Sequence, residues 1–138
     1  NARINAERGK VRTPEKVVKV EREVFRSEIL NTTVSFIIDR SSITDIQMKN
    51  VAEVAKYIEE HPDVNIVITG YADVKTAYPE YNMKLSKRRA ESVRDALVKK
   101  FKVDPSRLRI DYKGDTVQPF EMKNEWNRVV IFLTEPRK

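Results

Sequence analysis

The chain has 138 residues, a net charge of +6 and 35% charged side chains, enough length for one domain with a single core. It has no cysteine, which excludes a disulfide, a zinc–thiolate site and a cysteine nucleophile. No run of about 18 apolar residues occurs, so no membrane-spanning helix is encoded, and the basic balance favours anionic partners without choosing between nucleic acid, phospholipid and a carboxylate-rich polymer.

Residues 1–16 are polar, contain Gly9 and Pro14, and read as a tail or linker. The chain opens on Asn1 with no visible signal peptide. It reads as a fragment or a mature form, with any membrane part upstream of it. In residues 17–30, Val18, Val20 and Val24 fit strand alternation, while Val17, Val20 and Val24 fit helical spacing. Both readings stay open, and residues 1–30 are taken as a polar linker or arm ahead of a domain over 31–138.

The domain begins near Asn31. Thr33 to Ile38 is short and β-rich, which predicts a first strand. Thr44 and Gln47 form a capping-box signature, in which each side chain satisfies a backbone donor at a helix start. Met48, Val51, Ala55 and Ile58 follow at helical spacing, and Pro62 ends that helix. Val64 to Thr69 is the clearest strand. Four of its six residues are Val or Ile, which predicts burial under helices on at least one face. Gly70 closes it. A loop over 71–81 carries Tyr71, Tyr78, Pro79 and Tyr81. A second helix is predicted from about Asn82 to Phe101, burying Ala90, Val93, Ala96, Leu97 and Phe101. Strands at Leu108 to Tyr112 and Arg128 to Leu133 complete a β-α-β-α-β-β order. The pattern predicts an α/β, two-layer α+β domain with helices on one sheet.

Chemistry concentrates after the second strand. Gly70-Tyr71-Ala72-Asp73 sets an acid at the strand end. Asn82 and Arg89 lie close to two helical turns apart and share a helix face. An acid facing a guanidinium suits a ligand that carries both an ammonium and a carboxylate. The helix N-terminus adds positive potential beside them. Ser86 lies one turn from Asn82, and Asp39 at the end of the first strand can line the same mouth. Arg89 is expected at the rim, so that Arg89→Ala should fold. The bland alternative is an ordinary ion pair between Asp73 and Arg89 that ties a loop to a helix.

The whole set resembles the C-terminal domain of outer-membrane protein A, shared with peptidoglycan-associated lipoproteins and flagellar stator proteins. The resemblance covers roughly residues 33–133. It rests on Phe36 with Asp39 and Ile43, on Gly70 to Asp73, and on Asn82-x-x-Leu85-Ser86-x-x-Arg89-Ala90. Gly114, Pro119 and Asn127-Arg128-Val129 complete it. It implies a mixed four-stranded sheet whose last strand is antiparallel to the others. It also implies that Asp73 and Arg89 bind the diaminopimelate of the peptidoglycan stem, anchoring an outer-membrane protein to the cell wall at the periplasmic face of that membrane. Peptidoglycan and other envelope proteins are then the partners, with no cofactor, no metal and no nucleic acid, and the membrane is reached only through an upstream segment. The chain departs from the family at Ala72, where many members carry Thr. Its loop between Asp73 and Arg89 is longer and Tyr-rich, and Val129 replaces one Arg of the Asn-Arg-Arg-Val run.

Other residues attract plainer readings. His61, the only histidine, suits the helix C-terminus as a cation. Asp111, Asp115 and Glu121 lack calcium-loop spacing and read as solvated turn acids. One or two of the tyrosines should anchor the loop to the core, and Trp126 should pack rather than bind. Lys84, Lys87 and Arg88 share their helix with Glu91 and Asp95, which makes a poor nucleic-acid stripe. No nucleophile elbow, phosphate loop or paired carboxylates can be read, so the domain is predicted to bind rather than catalyse. The alternative function is a basic α/β nucleic-acid-binding module.

Overall fold

The computed structural model describes residues 27–75, 77–121 and 123–137. The ambiguous segment around Val17 to Val24 lies outside them. Four strands and two helices follow the predicted order: β1 (Val34–Ser35), α1 (Asp45–Glu60), β2 (Val64–Gly70), α2 (Pro79–Lys99), β3 (Leu108–Tyr112) and β4 (Val129–Pro136). The sheet order is β1-β4-β2-β3. β4 runs antiparallel to both β1 and β2, and β2 runs parallel to β3. This is the mixed four-stranded sheet that the resemblance implied.

The core lies between the sheet and the two helices. Val51, Val54 and Ile58 of α1, Ile66 and Ile68 of β2, Val93 and Leu97 of α2, and Val130 and Phe132 of β4 form one buried cluster. β2 is central and nearly every residue in it is buried, as its Val and Ile content predicted. Gly70 lets α2 close on the strand end. A Cβ there would stand 2.0 Å from the backbone oxygen of Ser86, a distance no side chain tolerates. The glycine that ends the strand is therefore also the contact that seats the helix.

Several boundaries differ from the sequence reading. β1 is only two residues long. Beyond it Phe36 N–H still reaches Arg128 C=O at 2.7 Å, but Asp39 then adopts a left-handed backbone with φ 59° and the chain turns away. Upstream, Leu30 N–H bonds Phe132 C=O at 3.0 Å and Thr134 N–H bonds Glu28 C=O at 2.9 Å, so residues 28–30 already run along β4. α2 starts at Pro79 rather than Asn82, because Tyr78 is extended and proline is preset for the first helical position. It ends at Lys99 rather than Phe101. β4 continues to Pro136, paired with β2 along its length.

The capping box is half made. Thr44 Oγ1 accepts from Gln47 N–H at 3.3 Å, but Gln47 Oε1 accepts from Ser35 N–H at 2.9 Å instead of turning back to the cap. Tertiary structure spends that amide on tying α1 to β1. His61 sits at the α1 C-cap, where Nδ1 meets Tyr57 C=O at 2.8 Å and the ring stacks on Tyr57. A carbonyl only accepts, so Nδ1 carries the proton.

Two arginines are buried at opposite ends of β2. Arg107 donates to the carbonyls of Ile58, His61 and Val64, closing the turn that leads into the strand. Arg89 lies at the other end and is fully buried, which corrects the expectation that it sits at the rim. The inward stripe of α2 reads Asn82, Leu85, Ser86, Arg89, Ala90, Val93, Leu97. Its first half is polar because that part of the helix faces the loops beyond the strand ends. Their carbonyls need donors, whereas the second half meets apolar sheet.

Candidate functional site

The loop after β2 carries Tyr71, Ala72 and Asp73 into the interior. Tyr71 N–H bonds Val129 C=O at 2.9 Å and Ala72 N–H bonds Gly114 C=O at 2.8 Å, so the loop is held from both neighbouring strands. Ala72 is fully buried. Gly114 has φ 58°, and a Cβ there would press on the Met83 backbone at about 3.0 Å. Asp73 follows with no exposed surface.

The Asp73 carboxylate is gripped from one side by the turn that precedes β4. Asn124 Nδ2 donates to Oδ2 at 2.7 Å, and Arg128 Nε donates to Oδ1 at 3.2 Å. Asn127 fixes that turn. Its Oδ1 accepts from Phe120 N–H at 2.8 Å and its Nδ2 donates to Phe120 C=O at 2.9 Å. The sequence reading quoted Asn127 and Arg128 as family marks but gave neither a role, and it did not single out Asn124. The signal available was the polar run Asn124-Glu125-Trp126-Asn127-Arg128 just ahead of a strand.

Arg89 holds a different set of partners. Its Nε donates to Arg40 C=O at 2.8 Å, one terminal nitrogen donates to Tyr71 C=O at 3.0 Å, and the other donates to Ile37 C=O at 3.2 Å. The guanidinium carbon lies 5.2 Å from the Phe36 ring centroid. Burial pushes the Arg89 pKa down from 12.5 to about 10, and the Asp73 carboxylate is the largest influence opposing that fall. Arg89 remains a cation at neutral pH. Asp73 and Arg89 therefore share the C-terminal end of β2 and feel one another's charge. Arg89 knits the 37–40 loop to the 71–73 loop, and among the described residues Arg128 is the cation that hydrogen-bonds the Asp73 carboxylate.

The remaining predicted site residues divide. Asn82 is fully buried, and its Nδ2 donates to Asp115 Oδ2 at 3.0 Å and to Asp73 C=O at 3.4 Å. The oxygens Asn82 Oδ1 and Asn124 Oδ1 are buried without a hydrogen-bond partner among the described residues. Each amide is oriented by a carboxylate, which can only accept. Ser86 is turned inward. Its hydroxyl donates to Met83 C=O at 2.8 Å and accepts from Gly114 N–H at 2.8 Å, so it locks the glycine loop onto α2. Asp39 is exposed and accepts from the Tyr81 hydroxyl, which raises the Tyr81 pKa and ties the 37–40 loop to the start of α2. Among the other tyrosines, Tyr71 is half-buried and Tyr78 exposed. The basic residues of α2 splay apart. Lys87 lies over the Tyr112 ring and Arg88 over the Tyr81 ring.

The fold is a two-layer α/β module with a buried carboxylate and two guanidinium groups at the end of its central strand. The OmpA family model matches residues 35–130, and the chain belongs to the OmpA family. Outer membrane protein 41 of Porphyromonas gingivalis is 37% identical over 115 residues, covering 83% of this chain and 27% of that protein. Outer membrane protein 40 of the same organism is 39% identical over 103 residues, covering 75% of this chain and 26% of that protein. The chain thus spans about a quarter of the length of these curated relatives. Among solved structures, the peptidoglycan-associated lipoprotein from Burkholderia pseudomallei superposes with a TM-score of 0.68 at 27% identity, covering 76% of this chain and 91% of that one. The C-terminal domain of Helicobacter pylori MotB gives a TM-score of 0.63 at 25% identity, covering 74% and 82%. OmpA-like domains are binding modules rather than enzymes.

Proposed function

We propose that this domain binds the peptide stem of peptidoglycan through its diaminopimelate residue and so anchors an outer-membrane protein to the cell wall at the periplasmic face. The observation that carries this reading is the Asp73 carboxylate, buried at the end of β2 beside two guanidinium groups and near the Asn82 and Asn124 side-chain oxygens, which have no partner among the described residues. The far end of a diaminopimelate side chain is an amino acid, with an ammonium and a carboxylate on one carbon. The ammonium has three N–H donors. Asp73, with the oxygens of Asn82 and Asn124 nearby, supplies acceptors of the right number. The carboxylate takes Arg128, which is partly exposed, and the two N–H groups that Arg89 does not spend on backbone carbonyls. Asp39 and Tyr81 form the outer edge. Ser86 acts from behind by holding the Gly114 loop. The names of the similar lipoprotein and of the outer-membrane relatives agree with this setting.

The test is retention of the domain on insoluble peptidoglycan, with Asp73→Asn beside the unaltered chain. Asparagine keeps the shape and removes the charge. Loss of one partner of a desolvated charge pair costs about 2–5 kcal/mol, roughly 30-fold or more in affinity. Circular dichroism checks that the variant is folded. Full retention by folded Asp73→Asn would refute the assignment. Retention on DNA that collapses between low and moderate salt, with none on the cell wall, would favour a nucleic-acid module instead.

A further inference from the structure

The turn over Asn124–Asn127 does more than hold Asp73. Its third residue, Trp126, is 51% exposed, an unusual position for the largest apolar side chain in the chain. The ring is not loose. Phe120 meets it edge to face with centroids 5.9 Å apart, and Asn127 clamps the backbone of Phe120 on both its N–H and its C=O. Asn124, two residues before Trp126, donates to the Asp73 carboxylate at 2.7 Å. A hollow of about 260 Å³ lies beside the turn, lined by Val74 next to Asp73, by Asn124 and Asn127 of the turn, and by Phe120, which packs against the indole. One turn thus carries both the amide that holds the site acid and an exposed, braced indole. The ammonium of Lys123 lies 5.4 Å from the indole centroid, on an exposed side chain that can swing aside.

We propose that Trp126 is a carbohydrate platform, on which one pyranose ring of the glycan strand stacks while the attached stem occupies the Asp73 site. The inference rests on the peptidoglycan reading above and names what lies next to the stem. The amino sugar is tethered to the end of the stem remote from the group held at Asp73, and an extended stem is long enough to bring a sugar ring to the turn. One face of a pyranose presents C–H groups, which pack on the electron-rich face of an indole. The hydroxyl and acetamido groups at its edge stay in water or meet Lys123 and Glu125. Stacking of this kind lowers the entropy cost on the protein side because Phe120 already fixes the ring.

The chain contains a single tryptophan, so Trp126 reports on its own surroundings. The experiment titrates the full chain with two probes, a disaccharide carrying a diaminopimelate stem and the same stem peptide without sugar. Emission should shift with the first probe and stay unchanged with the second. By calorimetry the disaccharide probe should bind roughly five- to tenfold tighter than the free peptide. Trp126→Ala should erase that difference without changing affinity for the free peptide, and Trp126→Phe should keep part of it. Asp73→Asn should weaken both probes. Equal binding of the two probes by the unaltered chain would overturn the platform, as would a Trp126→Ala loss that is the same for both or an emission shift caused by free peptide. Binding of neither probe would overturn the stem assignment itself, and the platform with it.

Discussion

Arg89→Lys tests what the buried guanidinium does. The substitution keeps the charge and most of the stem but replaces a planar fork with one nitrogen. Arg89 serves three carbonyls, those of Ile37, Arg40 and Tyr71, from three different nitrogens at 2.8 to 3.2 Å. A single ammonium can follow one of them, so two carbonyls lose their donor. Hydrogen bonds to a charged group contribute about 1.5–3 kcal/mol each, which puts the loss at about 3–5 kcal/mol after partial relaxation. A domain of this size is stable by about 5–15 kcal/mol, so the variant should fold but marginally. With a urea slope of about 1–2 kcal/mol per molar, the unfolding midpoint should fall by roughly 2–3 M. Circular dichroism and Trp126 emission should report the same transition. Arg89→Ala should be worse, because it also leaves a cavity beside Phe36. A midpoint for Arg89→Lys within about 0.5 M of the unaltered chain would refute the reasoning, since the three carbonyls would then owe little to the fork.

Other outcomes follow from the same geometry. Gly70→Ala should destabilise by about 3 kcal/mol or more, because its methyl meets the Ser86 backbone rather than a side chain that can move; thermal or urea melts check this. Asn127→Ala should release the 120–127 turn, costing about 1–3 kcal/mol in stability and weakening retention on peptidoglycan through Asp73, whereas Asn127→Asp should repair only the Phe120 N–H bond. Asp104 caps the short turn before β3 by accepting from Ser106 N–H at 2.9 Å, which holds its pKa below the ordinary 3.8. A carboxyl with a lowered folded-state pKa stabilises above its unfolded value and loses that contribution as pH falls through the folded one, so Asp104→Ala should flatten the acid limb of stability against pH. NMR titration of Asp104 at or above its ordinary value would refute the cap.

The sequence by itself carried the element order, because a central Val- and Ile-rich strand and two helices of 3.6-residue period leave one layered arrangement. It also located Asp73 and Arg89, through their spacing around Gly70 and their likeness to a family pattern. The seven-residue step from Asn82 to Arg89 did set both on one face of α2. Only the tertiary structure decided that this face points inward. A buried strand end leaves carbonyls of two loops without donors, and a guanidinium is the side chain that can serve three of them at once. For the same reason Ser86 and half of the capping box were spent on long-range partners that no local pattern encodes. Asn124 and Arg128 reach Asp73 from 51 and 55 residues away, and that contact exists only because β4 pairs beside β2. Sequence spacing reports which residues share a face. What that face must satisfy depends on chain segments that only folding brings near.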